Sequence, residues 1–344
     1  QQMNEITKDN TFDGGDGTKR ASWGQSSNGF LDAAMVTYSV AFSYNLIYDS
    51  LNESQKLQVV RALYEEGFYW FENIVNPNVL LHGNNHNLLI NCNLAIAALS
   101  VMSYQGEIDV KVDGLETKIN VQEMASNVVS HAYALLQIAL VHYSPSGGFP
   151  EGPSYSYYGH RNIISLLSTL KNIYGGNSFE ELYDFGLTNV MGIVNYPAYT
   201  LYTSAPNYDT FYYNEGGYSL NQPGLLWYAR MDDKYIPYTL LNKMAFEQES
   251  YSSMSLLWYK PGSFDNLDIS NVRPLDYLLE VHEIASFRNG FGDEYGIFTA
   301  LKGFNPTSNL FTHKSLDSGT FEIVAYGEKF IENFSNEDYS LNVP

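Results

Sequence analysis

From Leu31 to about Trp258 the apolar residues keep returning at helical spacing, and after about residue 265 that spacing gives way to short β-branched and aromatic runs. This change of period constrains the fold tightly, because a helix must bury a stripe and a strand must bury a face. Leu31 to Tyr48 places Ala34, Tyr38, Ala41, Phe42 and Leu46 near one helical face, which predicts a mostly buried helix. A second helix opens at Asn52, the expected N-cap, with Gln55 as its capping-box partner and Leu57, Val60, Tyr64, Phe68 and Phe71 as its stripe. Further helices are predicted over 88–104, 121–142, 161–174, 180–194 and 237–258. With no βαβ alternation and no fixed repeat, these helices read as a layer of stacked hairpins behind an irregular lead-in over residues 1–30.

Beyond that point, the segments 277–281, 284–288, 295–301 and 319–326 read as strands bounded by Gly, Asp or Asn. Helices followed by strands predict an α+β chain with a helical domain over 1–265 and the start of an antiparallel β domain over 266–344. About four to six strands are few for a closed sandwich, so the natural chain is expected to continue past Pro344.

Charge excludes one large class of function. The chain carries 38 acidic against 18 basic residues, a formal net charge of −20, whereas a nucleic-acid binder needs a basic face to neutralise phosphates. A hydrophobic fraction of 44% with 15% aromatics is too apolar for disorder. The lone Cys92 excludes an internal disulfide and a Cys-rich zinc module. No apolar run reaches the roughly 18 residues that would suggest a membrane span, and Gln1-Gln2-Met3-Asn4 lacks the pattern of a secretion signal. The 29 tyrosines and the Asn-rich loops fit a surface that handles sugars, and tyrosine fits cores and strands equally well.

Three polar segments interrupt the apolar pattern. His82-Gly83-Asn84-Asn85-His86-Asn87 precedes a helix, where backbone N–H groups, amides and imidazoles favour a carboxylate; Asn87 as a plain N-cap is the alternative. The Gly/Pro loop 146–153 carries Glu151, expected to hydrogen-bond within its turn, and leads to Tyr155, Tyr157, Tyr158, His160 and Arg161. A tyrosine beside a cation can accept a proton and give it back, although at least one of these is expected to pack at the helix start. The third segment, Phe311 to Phe321, carries His313 and Asp317 ahead of a strand.

In order and spacing these segments resemble the heparinase II/III-like polysaccharide lyases. Trp23 to Asp49 resembles the family's early helices, Asn85-His86 its Asn-His pair, and Pro150 to Tyr155 its Glu-Gly-Pro-x-Tyr loop. Phe287-Arg288-Asn289-Gly290 and His313 to Phe321 resemble the Arg-bearing strand and the His-x-His-x-Asp-x-Gly-x-Phe signature. The resemblance implies an incomplete (α/α) toroid followed by an antiparallel β-sandwich, with β-elimination on an acidic, uronate-containing polysaccharide. It implies that Asn85 and His86 neutralise the substrate carboxylate and that Tyr155, with Tyr157 and Tyr158 as alternatives in register, and His313 move protons; Asn84, His82, Glu151, Tyr158, His160, Arg161 and Arg288 are the expected substrate-binding residues. It also implies a periplasmic or extracellular setting.

Two departures shape the expectation. Ser315 stands where the family has a zinc-ligating histidine, and Glu332 stands near the position of its aspartate ligand, so no metal is expected. The acidic charge also requires Arg161, Arg288, Lys302 and Lys314 to make the cleft locally positive. A glycoside hydrolase using a carboxylate pair such as Glu151 and Asp317, or a glycan-binding protein without activity, are the competing readings.

Overall fold

A computed structural model describes residues 11–13, 19–21, 31–73, 83–112, 114–176, 187, 190–206, 210–211, 213, 222–265, 267–270, 272–279, 282–303 and 319–331. The chain resolves into two compact units, Gln1–His82 with His86–Ile138, and Gly83–Asn85 with Ala139–Pro344. The boundary expected near residue 265 therefore marks a change from helix to strand inside the second unit. It does not separate the compact bodies.

In the first unit, β1 (Thr11–Asp13) pairs antiparallel with β2 (Lys19–Ala21). Helix α1 (Leu31–Ile47) follows the sequence prediction in extent, but of the predicted stripe only Ala34 and Ala41 lie on its buried face. That face is Ala33, Ala34, Thr37, Ala41 and Tyr44, while Phe42 and Leu46 are 38% and 71% exposed. Small residues lie inward because the chain that follows α2 (Glu53–Leu63) comes very close: a Cβ added at Gly67 would sit 2.6 Å from Thr37 Oγ1. Thr37 is fully buried and its hydroxyl already donates to the Ala33 carbonyl, so it has no room to yield. Gly67→Ala is expected to destabilise the protein by about 2 kcal/mol, read as a lower urea midpoint; an unchanged midpoint would show that α1 shifts freely.

The capping box forms as predicted, with Gln55 N donating to Asn52 Oδ1 and Asn52 N to Gln55 Oε1, both at 3.0 Å. The helix does not run on through Phe71. A π-helical turn at Tyr64–Phe68 intervenes before α3 (Tyr69–Asn73). Sequence periodicity also passes over a hairpin, β3 (Glu107–Val112) with β4 (Leu115–Asn120). Only β3 alternates cleanly, burying Ile108, Val110 and Val112, and β4 faces solvent along nearly all its length. Arg61 Nε donates to the Asp109 carbonyl, and Lys111 N to Glu65 Oε1, fixing the hairpin to α2 and the π turn.

Helix α4 (Asn85–Val101) is buried on all sides over most of its length, the pattern of a central core helix. Helix α5 (Val121–Leu140) buries Val121, Met124, Ala125, Val128, Ala132, Leu135, Leu136 and Ala139 at i, i+3, i+4 spacing. With the 3₁₀ turn that follows, it is long and apolar enough by composition to span a bilayer. Its periodic burial is what a soluble core helix shows as well.

The second unit contains α6 (Pro153–Tyr174), α7 (Tyr196–Tyr202), α8 (Pro223–Met231), α9 (Leu240–Glu247) and α10 (Ser253–Trp258). The single helix expected over 237–258 is thus a 3₁₀ segment, Asp233–Thr239, followed by α9 and α10. A five-stranded antiparallel meander completes the unit: β5 (Tyr277–Leu279), β6 (Ile284–Arg288), β7 (Phe298–Lys302), β8 (Phe321–Ala325) and β9 (Glu328–Ile331). Ser286 pairs with Ala300 and Ala300 with Glu322; Arg288 pairs with Phe298 and Phe298 with Val324. One face of the sheet therefore carries Ser286, Arg288 and Glu322 among buried residues, and the other presents Leu278, Phe287, Leu301 and Phe321 to solvent. The buried face is otherwise apolar, with Leu279, Ile284, Phe298, Ala300 and Val324, so the three polar groups sit within an ordinary apolar sheet face.

Candidate active site

A buried polar contact in the second unit joins two of the three motif segments. Glu151 is fully buried, and its Oε2 accepts from both the backbone N and the Nδ2 of Asn85, each at 2.8 Å. Asn85 is the first residue of α4, where the helix dipole and unsatisfied N–H groups favour a negative charge. The carboxylate held at this helix start is therefore the protein's own. This geometry replaces substrate contact with positioning for Glu151, whose carboxylate has no access to solvent. Asn84 is also buried, and His86 is half-buried. Asn87 does not cap the helix: it lies inside α4, and its Nδ2 donates to the Leu135 carbonyl.

The loop that carries Glu151 is shaped by glycine. Gly147 has φ near +81°, and a Cβ there would overlap the backbone of Asn195 and Tyr196. Gly152 (φ +92°) then turns the chain into α6 with Pro153 at its first turn. This helix starts eight residues before the predicted Arg161, because the proline presets the first turn.

Its opening turns present Tyr155, Tyr157, Tyr158 and Arg161. The Arg161 guanidinium lies 4.6 Å from the centre of the Tyr158 ring. Burial raises the Tyr157 phenol above its ordinary pKa, and the charge of Arg161 and a hydrogen bond to it partly oppose the rise. Tyr155 and Tyr158 are half-buried.

His160 is not a cleft residue. It is 1% exposed, stacked on Tyr196 with ring centroids 3.4 Å apart, and parallel to Tyr228 at 5.7 Å. Tyr228 donates its hydroxyl hydrogen to the Ile193 carbonyl, so His160 Nε2 must be the donor toward the Tyr228 oxygen at 3.3 Å. Nδ1 is left as a bare buried acceptor. The periodicity of α6 explains the correction, since His160 shares the inward face with Ser156, Ile163, Ile164 and Leu167.

A histidine that the motifs did not flag lies beside the same loop. A Cβ at Gly148 would meet the His282 ring at 2.6 Å. Burial pushes His282 down to about 4, a hydrogen bond to the Gly148 backbone opposes this, and His142 and Lys302 push it further down. Burial also holds His160 well below the ordinary imidazole value. Both histidines are thus neutral in the folded state, while the unfolded chain takes up protons near pH 6.5. Stability is expected to be full above that pH and to fall as the pH drops toward about 4. Urea titrations at several pH values check this, and a flat profile over the window would contradict it.

Arg288 sits where the register predicts, on the inner face of β6, 8% exposed, with Nη2 donating to the Tyr202 carbonyl at 2.8 Å. His82, His313, Lys314, Ser315, Asp317 and Glu332 lie outside the described residues. Among the described residues no group of three or more His, Cys, Asp or Glu side chains is gathered to hold a metal.

A solved structure of a heparinase III gene product with methylated lysines superposes on this chain with a TM-score of 0.52, covering 88% of the chain. The fold is heparinase III-like. Sequence identity is 14%, and the chain spans 39% of the length of that heparinase III chain. No family model matches the sequence, and no curated protein matches it. The heparinase III-like layout accounts for the helical N-terminal part joined to an antiparallel sheet.

Proposed function

We propose that the protein is a polysaccharide lyase that cleaves a uronate-containing acidic polysaccharide by β-elimination. The observation that carries this reading is the clamp of Asn85 on Glu151, four residues before Tyr155, within a heparinase III-like fold. Elimination beside a carboxylate has three requirements: neutralisation of that carboxylate, a base for the C5 proton, and an acid for the departing O4.

In this reading the Glu151 clamp occupies Asn85 and fixes the start of α4, so aiming His86, which neutralises the substrate carboxylate. Tyr155 takes the C5 proton, the electron pair forms the C4–C5 double bond, the C4–O4 bond breaks, and O4 leaves with a proton from Tyr155 or His313. Tyr158 and Arg161 bind the neighbouring sugar through an aromatic face and a positive charge, and His82 contacts the same chain. The reading places the protein in a periplasmic or extracellular compartment. The hydrolase alternative loses one of its carboxylates, because Glu151 is buried and engaged by Asn85.

The test is the ultraviolet absorbance of unsaturated uronate ends across a panel of acidic polysaccharides. Absorbance that grows on one polymer is the expected result. New reducing ends without absorbance, or binding without any product from folded protein, would overturn the proposal.

A further inference from the structure

The loop over 146–152 is gripped from two directions. Gly147 N donates to the Tyr143 carbonyl at 2.7 Å, and a Cβ at Gly147 would overlap the backbone of Asn195 and Tyr196 at the start of α7. Gly148 fits a notch between two rings: a Cβ there would lie 2.6 Å from His282 Cδ2 and 3.0 Å from both His282 Nε2 and Tyr199 Cδ2. Those distances fall well inside the roughly 3.5–4.0 Å of ordinary carbon contact. Only a hydrogen fits between the rings.

Both rings are anchored. The Tyr199 and Tyr213 hydroxyls share a hydrogen bond at 2.5 Å, both phenols are buried, and Lys302 Nζ lies 5.2 Å from the centre of the Tyr213 ring. His282 belongs to the connection between β5 and β6, just ahead of Ile284, which opens β6 and is fully buried. Through its bond to the Gly148 backbone, His282 ties the sheet to the loop. Burying an imidazole costs free energy that an apolar ring does not incur; the bond to Gly148 is what the imidazole adds. His282 Nε2 is sealed from water, so that edge of the ring meets no substrate.

Glu151 and Tyr155 follow directly in the chain, with Gly152 turning the loop straight into α6. A shift at Gly148 is therefore passed both to the contact of Glu151 with Asn85 and to the Tyr155 hydroxyl. We propose that His282 is a positioning residue: it locks Gly148 between the sheet and α7, and so fixes where Glu151 and Tyr155 stand. Its effect on rate rests on the lyase reading; its hold on the loop does not.

His282→Ala and His282→Asn test this in the full chain with two readouts. By hydrogen–deuterium exchange, peptides covering 146–152 in His282→Ala are expected to exchange about tenfold faster than in wild type, with the buried amides around Ile163 and Leu167 of α6 unchanged. On the polymer that yields unsaturated product, kcat is expected to fall about thirtyfold at a KM within about threefold of wild type, because the sugar contacts remain and only the proton-transfer geometry loosens. His282→Asn keeps an N–H donor and is expected to fall between the two on both readouts. A loss of stability alone would speed the α6 amides in parallel and leave kcat per folded molecule unchanged. Wild-type loop exchange in His282→Ala would overturn the proposal, and so would faster loop exchange with wild-type kcat. If the wild-type protein forms no product from any polymer, the lyase reading fails on that result, and the loop exchange of His282→Ala still upholds or overturns the hold on Gly148.

Discussion

Tyr155→Phe is expected to lower the rate of unsaturated-product formation about a thousandfold while leaving the unfolding free energy from urea titration within about 0.5 kcal/mol of wild type. The substitution removes one hydroxyl from a half-buried ring at the first turn of α6, so the loss would report proton transfer and not folding. Tyr158→Phe, one helical turn further on, keeps its ring against Arg161 and is expected to cost less than tenfold by the same absorbance assay. A reversal of the two effects would move the proton-transfer role by one turn. Burial works against formation of the Tyr157 phenolate, and Arg161 offsets only part of that effect.

Glu151→Ala is expected to reduce folding stability by about 3 kcal/mol, measured by equilibrium unfolding in urea. It removes the acceptor for two donors of Asn85 and an anion from the start of a buried helix. Glu151→Gln keeps an oxygen in place and is expected to recover at least half of that loss, leaving the charge-dependent share. Equal stability of Glu151→Ala and wild type would mean that the loop around Glu151 rearranges to satisfy Asn85 in another way.

Elements governed by local chemistry were legible in the sequence. The Asn52 box, the extent of α1, and strands β6 and β8 followed from caps and alternation, which depend on neighbouring residues. Features decided by distant partners were not. Phe42 and Leu46 satisfy helical spacing as well as Thr37 does, and only the close approach of Gly67 selects the small-residue face. The solvent-facing β4 had no apolar face to reveal it. The motif segments identified Asn85, Glu151 and Tyr155 as polar groups of interest, but the tie between Asn85 and Glu151 depends on three-dimensional closure. His160 looked like a cleft residue by its neighbours in sequence, and the inward face of α6 claimed it. His282 stood in no polar run, so nothing short of the packing against Gly148 could find it.

The bond from Asn85 to Glu151 joins residues 66 positions apart. Closing a loop of that length costs on the order of 4 kcal/mol of chain entropy before any contact rewards it, so the pair belongs to the late, non-local part of folding. Its donor N–H is sealed from water at the start of a core helix. The amide of Asn85 is thus expected to exchange with deuterium at the rate of global opening and not of local fraying. The start of α4 and the loop leading to Tyr155 then become ordered in one cooperative event, and a partly folded chain holds neither in working form.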